Sequence, residues 1–114
     1  MASKPEHLGL ADAQRRLASA GGARYVTLFH HNQMELEFYA PQGTDPQEPH
    51  TRDELYFIAS GTGTFVVQDQ RRRCAAGDVM YLPAGVPHRF EAFSADFAAW
   101  AVFVPPGPAV SGAG

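Results

Sequence analysis

Apolar positions follow two different periods along this chain, and the change falls at Gly21-Gly22. Before it, Leu8 to Ala20 (LGLADAQRRLASA) places Leu10, Ala13, Leu17 and Ala20 three to four residues apart. That spacing lays one apolar stripe along a helix, and the paired glycines stop it. After it, short runs rich in Val, Phe, Tyr and Leu occupy Arg24 to His30, Gln33 to Tyr39, Glu54 to Ala59, Gly63 to Gln68, Asp78 to Leu82, His88 to Phe93 and Ala98 to Val104. Gly, Pro, Asn or Asp bounds each of them, with turn signals at Asn32, at Gly61 and Gly63, and at Pro83-Ala84-Gly85. The runs predict strands, and so many short strands predict an all-β sandwich or barrel.

Runs such as LYFIA and VMYL are apolar on both faces. A single sheet open to water does not tolerate that, so one face lines an interior and the other is covered by the helix, by a second sheet or by a partner subunit. The polar start, residues 1–7, and the small, proline-rich end, PPGPAVSGAG at 105–114, read as mobile tails around a single domain at 8–104. With 114 residues and 45% hydrophobic content, the chain closes one core but gains from association, and a homodimer is expected.

Charge narrows the partners. Nine basic and twelve acidic residues give a formal net charge of −3, which predicts no nucleic-acid surface. The basic cluster Arg71-Arg72-Arg73 sits between two strand-like runs and reads as a solvated hairpin turn. Cys74 is the single cysteine, so no disulfide forms within the chain, and it reads as a structural thiol in a reducing compartment. No apolar run approaches the ~20 residues needed to cross a bilayer, so a cytoplasmic protein without membrane contact is expected.

Candidate chemistry lies in two places. Gly77 to His88 reads GDVMYLPAGVPH, a strand between glycines and prolines that ends on a histidine. Earlier come Glu48, His50 and Glu54. Alternation along a strand puts Glu48 and His50 on one side, and Glu54, Tyr56 and Ile58 on one side beyond a short turn. If that side is interior, burying the carboxylates unpaired costs several kcal/mol each, a cost that a divalent cation offsets. Two histidines and two carboxylates meeting at one point make a metal site. Tyr56 reads as a core tyrosine that can also supply an inward phenol for acid-base work. His30 and His31 are adjacent, so their side chains diverge and both read as turn or surface residues. Trp100, Phe103, Phe90 and Phe57 read as core or interface, with Phe90 placed to wall the cavity near His88.

These residues carry a resemblance. Gly77, Pro83, Gly85 and His88 match the second conserved motif of the cupin superfamily, with Ala92 where that motif usually has asparagine. His50, Glu54 and Gly61 match the second half of the first motif, with Glu48 in place of its first histidine and Gly43 one residue too near. The chain is thus similar to small bacterial cupins, which implies a jelly-roll (double-stranded β-helix) barrel with a short N-terminal helix. The resemblance carries the metal ligands over to His50, Glu54 and His88, with Glu48 as the fourth. It implies one divalent metal ion, Fe(II) first, with Zn, Ni or Mn as alternatives. It also implies an enzyme acting on a small organic molecule, either dioxygenase-like or a metal-assisted isomerase or lyase in which Tyr56 or Glu48 moves a proton. The same scaffold also hosts non-catalytic cupins that bind a small ligand or metal for sensing or storage, and no output module is visible in this sequence.

Overall fold

The computed structural model describes residues 5–45 and 49–105, which form one helix and eight strands. Helix α1 spans Leu10–Ala18. The strands are β1 (Tyr25–His31), β2 (Met34–Tyr39), β3 (Asp53–Ser60), β4 (Thr62–Val67), β5 (Gln70–Ala75), β6 (Val79–Leu82), β7 (His88–Glu91) and β8 (Ala98–Val104). All pairings are antiparallel, in a five-stranded sheet ordered β1-β2-β8-β3-β6 and a three-stranded sheet ordered β5-β4-β7. This is the jelly-roll architecture expected for a cupin. Glu48 lies outside the described residues, as do residues 1–4 and 106–114 of the two expected tails.

The helix is shorter than its apolar stripe. Gly9 is extended and forms the N-cap, and its N–H donates to Asp12 Oδ2 at 2.9 Å. That bond fixes the start at Leu10 and sets a carboxylate against the positive end of the helix dipole. Arg16 Nη1 donates to the Leu28 carbonyl at 3.0 Å and ties α1 to β1. Ala13 is fully buried, so the helix lies close against the sheet. It covers Leu28, Phe38 and Ala98, with Val26, Leu36 and Trp100 around them. Phe38 meets Trp100 edge to face, with centroids 5.3 Å apart. Burying a phenyl ring completely here is worth roughly 2–3 kcal/mol.

The other face of the same sheet lines the barrel. Register places Glu35, Glu37 and Tyr39 of β2 opposite Phe103, Ala101 and Ala99 of β8. Those three in turn stand opposite Glu54, Tyr56 and Ile58 of β3. The interior is closed by Phe65, Phe90 and Phe97.

One expectation is corrected. Arg71-Arg72-Arg73 is not a turn but the middle of β5, paired with Val66, Phe65 and Thr64. The chain reverses at Gln68-Asp69, with Gln68 at φ +53. Arg71 and Arg73 share the outer side while Arg72 lies on the side of Cys74, yet all three are exposed on this edge strand, so no apolar alternation marked it. Arg71 pairs with Glu91, and Arg73 Nη1 donates to Thr64 Oγ1 at 2.9 Å. Cys74, on the same strand, is buried and unbridged, as a structural thiol should be. The cover is also incomplete: α1 shields one part of the outer face, while Phe57, Val79 and Tyr81 on β3 and β6 stay exposed. His30 and His31 are exposed at the end of β1, as expected. No helix among the described residues is long and apolar enough to cross a membrane.

Candidate metal centre

The loop that ends the GDVMYLPAGVPH segment holds both halves of the site together. Gly85, at φ +85, adopts a conformation closed to most L residues, and its N–H donates to the His50 carbonyl at 2.7 Å. The preceding Ala84 N–H donates to Asp53 Oδ1 at 2.8 Å. Upstream, Leu82 of β6 is in register with Glu54 of β3. One turn therefore fixes the backbone beside two candidate ligands and delivers the third, His88, at the start of β7.

His50, Glu54 and His88 converge so that one donor atom from each lies within 4.8 Å of the others. Glu54 Oε1 stands 3.3 Å from His88 Nε2 and 3.5 Å from His50 Nε2. Both the Glu54 and His88 side chains are buried, and Glu54 Oε1 has no hydrogen-bond partner. His88 Nδ1 lies 2.9 Å from the Val86 carbonyl, which can only accept, so Nδ1 carries a proton. In the neutral ring, Nε2 then carries a lone pair, with the Tyr56 hydroxyl at 3.2 Å and Glu54 Oε1 at 3.3 Å, and offers that oxygen no proton. Electron-pair donors facing one another in a buried space need a cation between them, and two imidazoles with one carboxylate suit a divalent metal. The backbone acceptor that fixes the tautomer is the kind of outer contact that orients a metal-bound histidine.

The two histidines differ in how they hold a proton. Burial pushes His50 below the ordinary histidine range; Glu54 opposes this, while His88 and Arg52 add to it. Burial acts in the same direction on His88. There it is outweighed by Glu54, the Val86 carbonyl and Asp45, and His88 ends above that range.

Beside His50 and Glu54 opens a cavity of about 680 Å³, bordered also by Arg24, Glu37, Tyr39, Arg52 and Tyr56. Tyr56 is buried, and its hydroxyl lies 3.2 Å from His88 Nε2, so it is both core and site. Phe90 packs edge to face on Tyr56 at 5.0 Å, and it belongs to the buried core rather than to the cavity lining expected of it. Phe103 presses against His50 at 5.0 Å, and the Arg52 guanidinium stacks over Phe103 while donating to Glu35 at 2.9 Å. Buried Asp45 accepts from the Tyr39 hydroxyl and, through Oδ2, from the Phe90 N–H at 2.7 Å. This pins the loop before the first ligand onto the strand that carries the last.

As the sequence grouped them, His50, Glu54 and His88 come together, with Tyr56 beside them; Glu37, Tyr39 and Arg52, which border the cavity, and Asp45 were not singled out. The alternation in MELEFY was visible, but it does not say which side faces inward. The apolar partners Leu36 and Phe38 in fact face the helix, which turns both glutamates inward.

Residues 35–105 match the cupin domain family, and the chain belongs to it. An uncharacterized protein of Streptomyces coelicolor is 37% identical over 90 residues, covering 77% of this chain and 86% of that one. An acireductone dioxygenase of Gluconacetobacter diazotrophicus is 39% identical over 62 residues, covering 50% of this chain but 35% of that enzyme. In structure, the chain is similar to a cupin 2 conserved barrel domain protein from Salinispora arenicola, with a TM-score of 0.61 and 25% identity over 70% of this chain and 73% of that one.

Proposed function

We propose that this cupin is a metal-dependent enzyme acting on a small organic molecule, with dioxygenase-like chemistry and one divalent ion, Fe(II) first, held by His50, Glu54 and His88. The observation that carries the reading is Glu54 Oε1, buried between two imidazole nitrogens with no hydrogen-bond donor of its own. The partial likeness to acireductone dioxygenase supports the oxygen-dependent form. Glu48, two residues before His50, is the proposed fourth donor.

A metal so held supplies Lewis acidity and, as Fe(II), electrons for dioxygen chemistry. The chain's own residues do the rest. Val86 keeps the His88 ring aimed inward, and Phe90 and Phe103 keep water from the inner side of the triad. The Tyr56 hydroxyl donates to His88 Nε2 in the neutral ring. With that nitrogen given to a metal, the hydroxyl would be released to an oxygen of a bound ligand, where it would orient the ligand or move a proton.

The test is oxygen uptake. Iron is loaded anaerobically, a panel of small enols, keto acids and an acireductone is added, and dissolved oxygen is followed on admitting air. The expected result is uptake that depends on one compound class and is lost in His88→Ala. Bound iron with no uptake across the panel contradicts the dioxygenase form; anaerobic turnover of the same panel would then establish the isomerase or lyase form, for which the Tyr56 hydroxyl is the supporting observation.

A further inference from the structure

We propose that Glu37 is a catalytic proton acceptor and donor of this cavity, placed to serve a ligand bound at the His50, Glu54 and His88 triad; this rests on the metal-dependent reading above. Its position follows from the register of three strands. Glu37 on β2, Ala101 on β8 and Tyr56 on β3 form one row across the inner face. Strands are about 4.8 Å apart, so Glu37 and Tyr56 are anchored roughly 10 Å apart. The residue between them is alanine, buried and without reach, and it forms part of the cavity floor. A small ligand lying over Ala101 therefore has His50, Glu54 and Tyr56 at one end and the Glu37 carboxyl at the other.

The charges facing Glu37 favour a proton-carrying role. Burial is the largest cause that raises it, followed by Glu35 on its own strand and Glu54 on β3, with Arg52 opposing, and it reaches about 7. A divalent cation held at Glu54 would remove the last of the three raising causes and, being net positive there, oppose the first two. Tyr39 and Arg24 also border the cavity on this side. A carboxyl balanced near neutrality accepts and returns a proton with little driving force either way, which suits general acid-base work.

The step can be written with a simple probe. Acetohydroxamic acid chelates metals as its anion, and its own hydroxyl ionises only in alkaline solution. On binding, the probe O–H bond breaks and its electron pair stays on the oxygen that faces the metal. The proton forms a new O–H bond on a Glu37 carboxylate oxygen. The bound anion adds a negative charge beside Glu37 and raises its affinity for the proton, so near pH 7 wild-type protein releases fewer protons per bound probe than Glu37→Gln, which releases one.

The experiment is calorimetric titration of Co(II)-loaded protein with acetohydroxamic acid at about pH 7, in two buffers of different ionisation enthalpy, after Co(II) content is measured. The expected result is equal Co(II) content in wild type, Glu37→Asp and Glu37→Gln, with fewer protons released per bound probe by wild type than by Glu37→Gln. Equal proton counts in wild type and Glu37→Gln overturn the assignment of Glu37 and leave the metal reading standing. Loss of Co(II) from Glu37→Gln alone makes Glu37 part of the metal-holding set and also overturns it. Wild-type protein that takes up no Co(II) overturns the metal reading, and the role of Glu37 falls with it.

Discussion

Glu54 Oε1 lies 3.3 Å from His88 Nε2, with both side chains 2% exposed, and no hydrogen bond satisfies that oxygen. An anionic oxygen in this position is held for a cation, and the cation can be a proton on His88 or a metal. Much of the chemistry of this protein follows from which of the two is present.

Glu54→Gln keeps the shape of the side chain and removes its charge, so it separates folding from metal binding. Wild type should melt higher when Co(II) or Fe(II) is added, since a ligand at 100 times its Kd stabilises the fold by about 2.7 kcal/mol. Glu54→Gln should fold with a similar melting temperature alone and show no such rise. Differential scanning calorimetry with and without metal reads both.

Proton and metal compete for the imidazoles, so metal affinity should fall as pH falls. His88 is held above the ordinary range and protonates first, starting above about pH 6.5, and His50 follows at lower pH because burial lowers it. The proton count per bound metal should thus rise as pH falls, toward two in acid. Co(II) titrations monitored by absorbance between about pH 5.5 and 8 check the sign, and a flat affinity across that range contradicts the ligand set.

Ala92 sits at φ +49, where a Cβ crowds the backbone. It stands at the position where the cupin motif usually has asparagine, a residue that tolerates the left-handed region far better. Ala92→Asn or Ala92→Gly should raise stability by about 0.5–1 kcal/mol, seen as a few degrees in melting temperature. An unchanged or lower value in both variants contradicts this reading of the strain.

Association is the fourth expectation. Leu55, Phe57, Val79 and Tyr81 share the outer face of β3 and β6, and the last three are exposed. β6 is an edge of the five-stranded sheet, so it can pair with a second copy. We propose a homodimer formed there; sedimentation equilibrium should show a dimer for wild type and a monomer for Tyr81→Lys.

Much of this was legible in the sequence because it depends on local constraints. Pro83, Gly85 and His88 specify a turn and a ligand through φ angles and strand direction, and the strand runs followed from alternation and turn residues. What was not legible depended on which side of a strand is inside. Glu35 and Glu37 alternate with Leu36 and Phe38 as in any half-buried strand, and only the placement of α1 over the apolar side turns the glutamates into the barrel. The three arginines of β5 hid a strand for another reason, since an edge strand exposed on both sides at these positions leaves no alternation to read.

The most direct measurement is anomalous X-ray scattering at the absorption edge of a metal soaked or copurified with the protein. The expected result is one peak per chain, about 2.0–2.2 Å from His50 Nε2, His88 Nε2 and a Glu54 carboxylate oxygen, and none in His88→Ala. A peak elsewhere in the molecule, or no peak at this triad in metal-saturated crystals, would contradict the account.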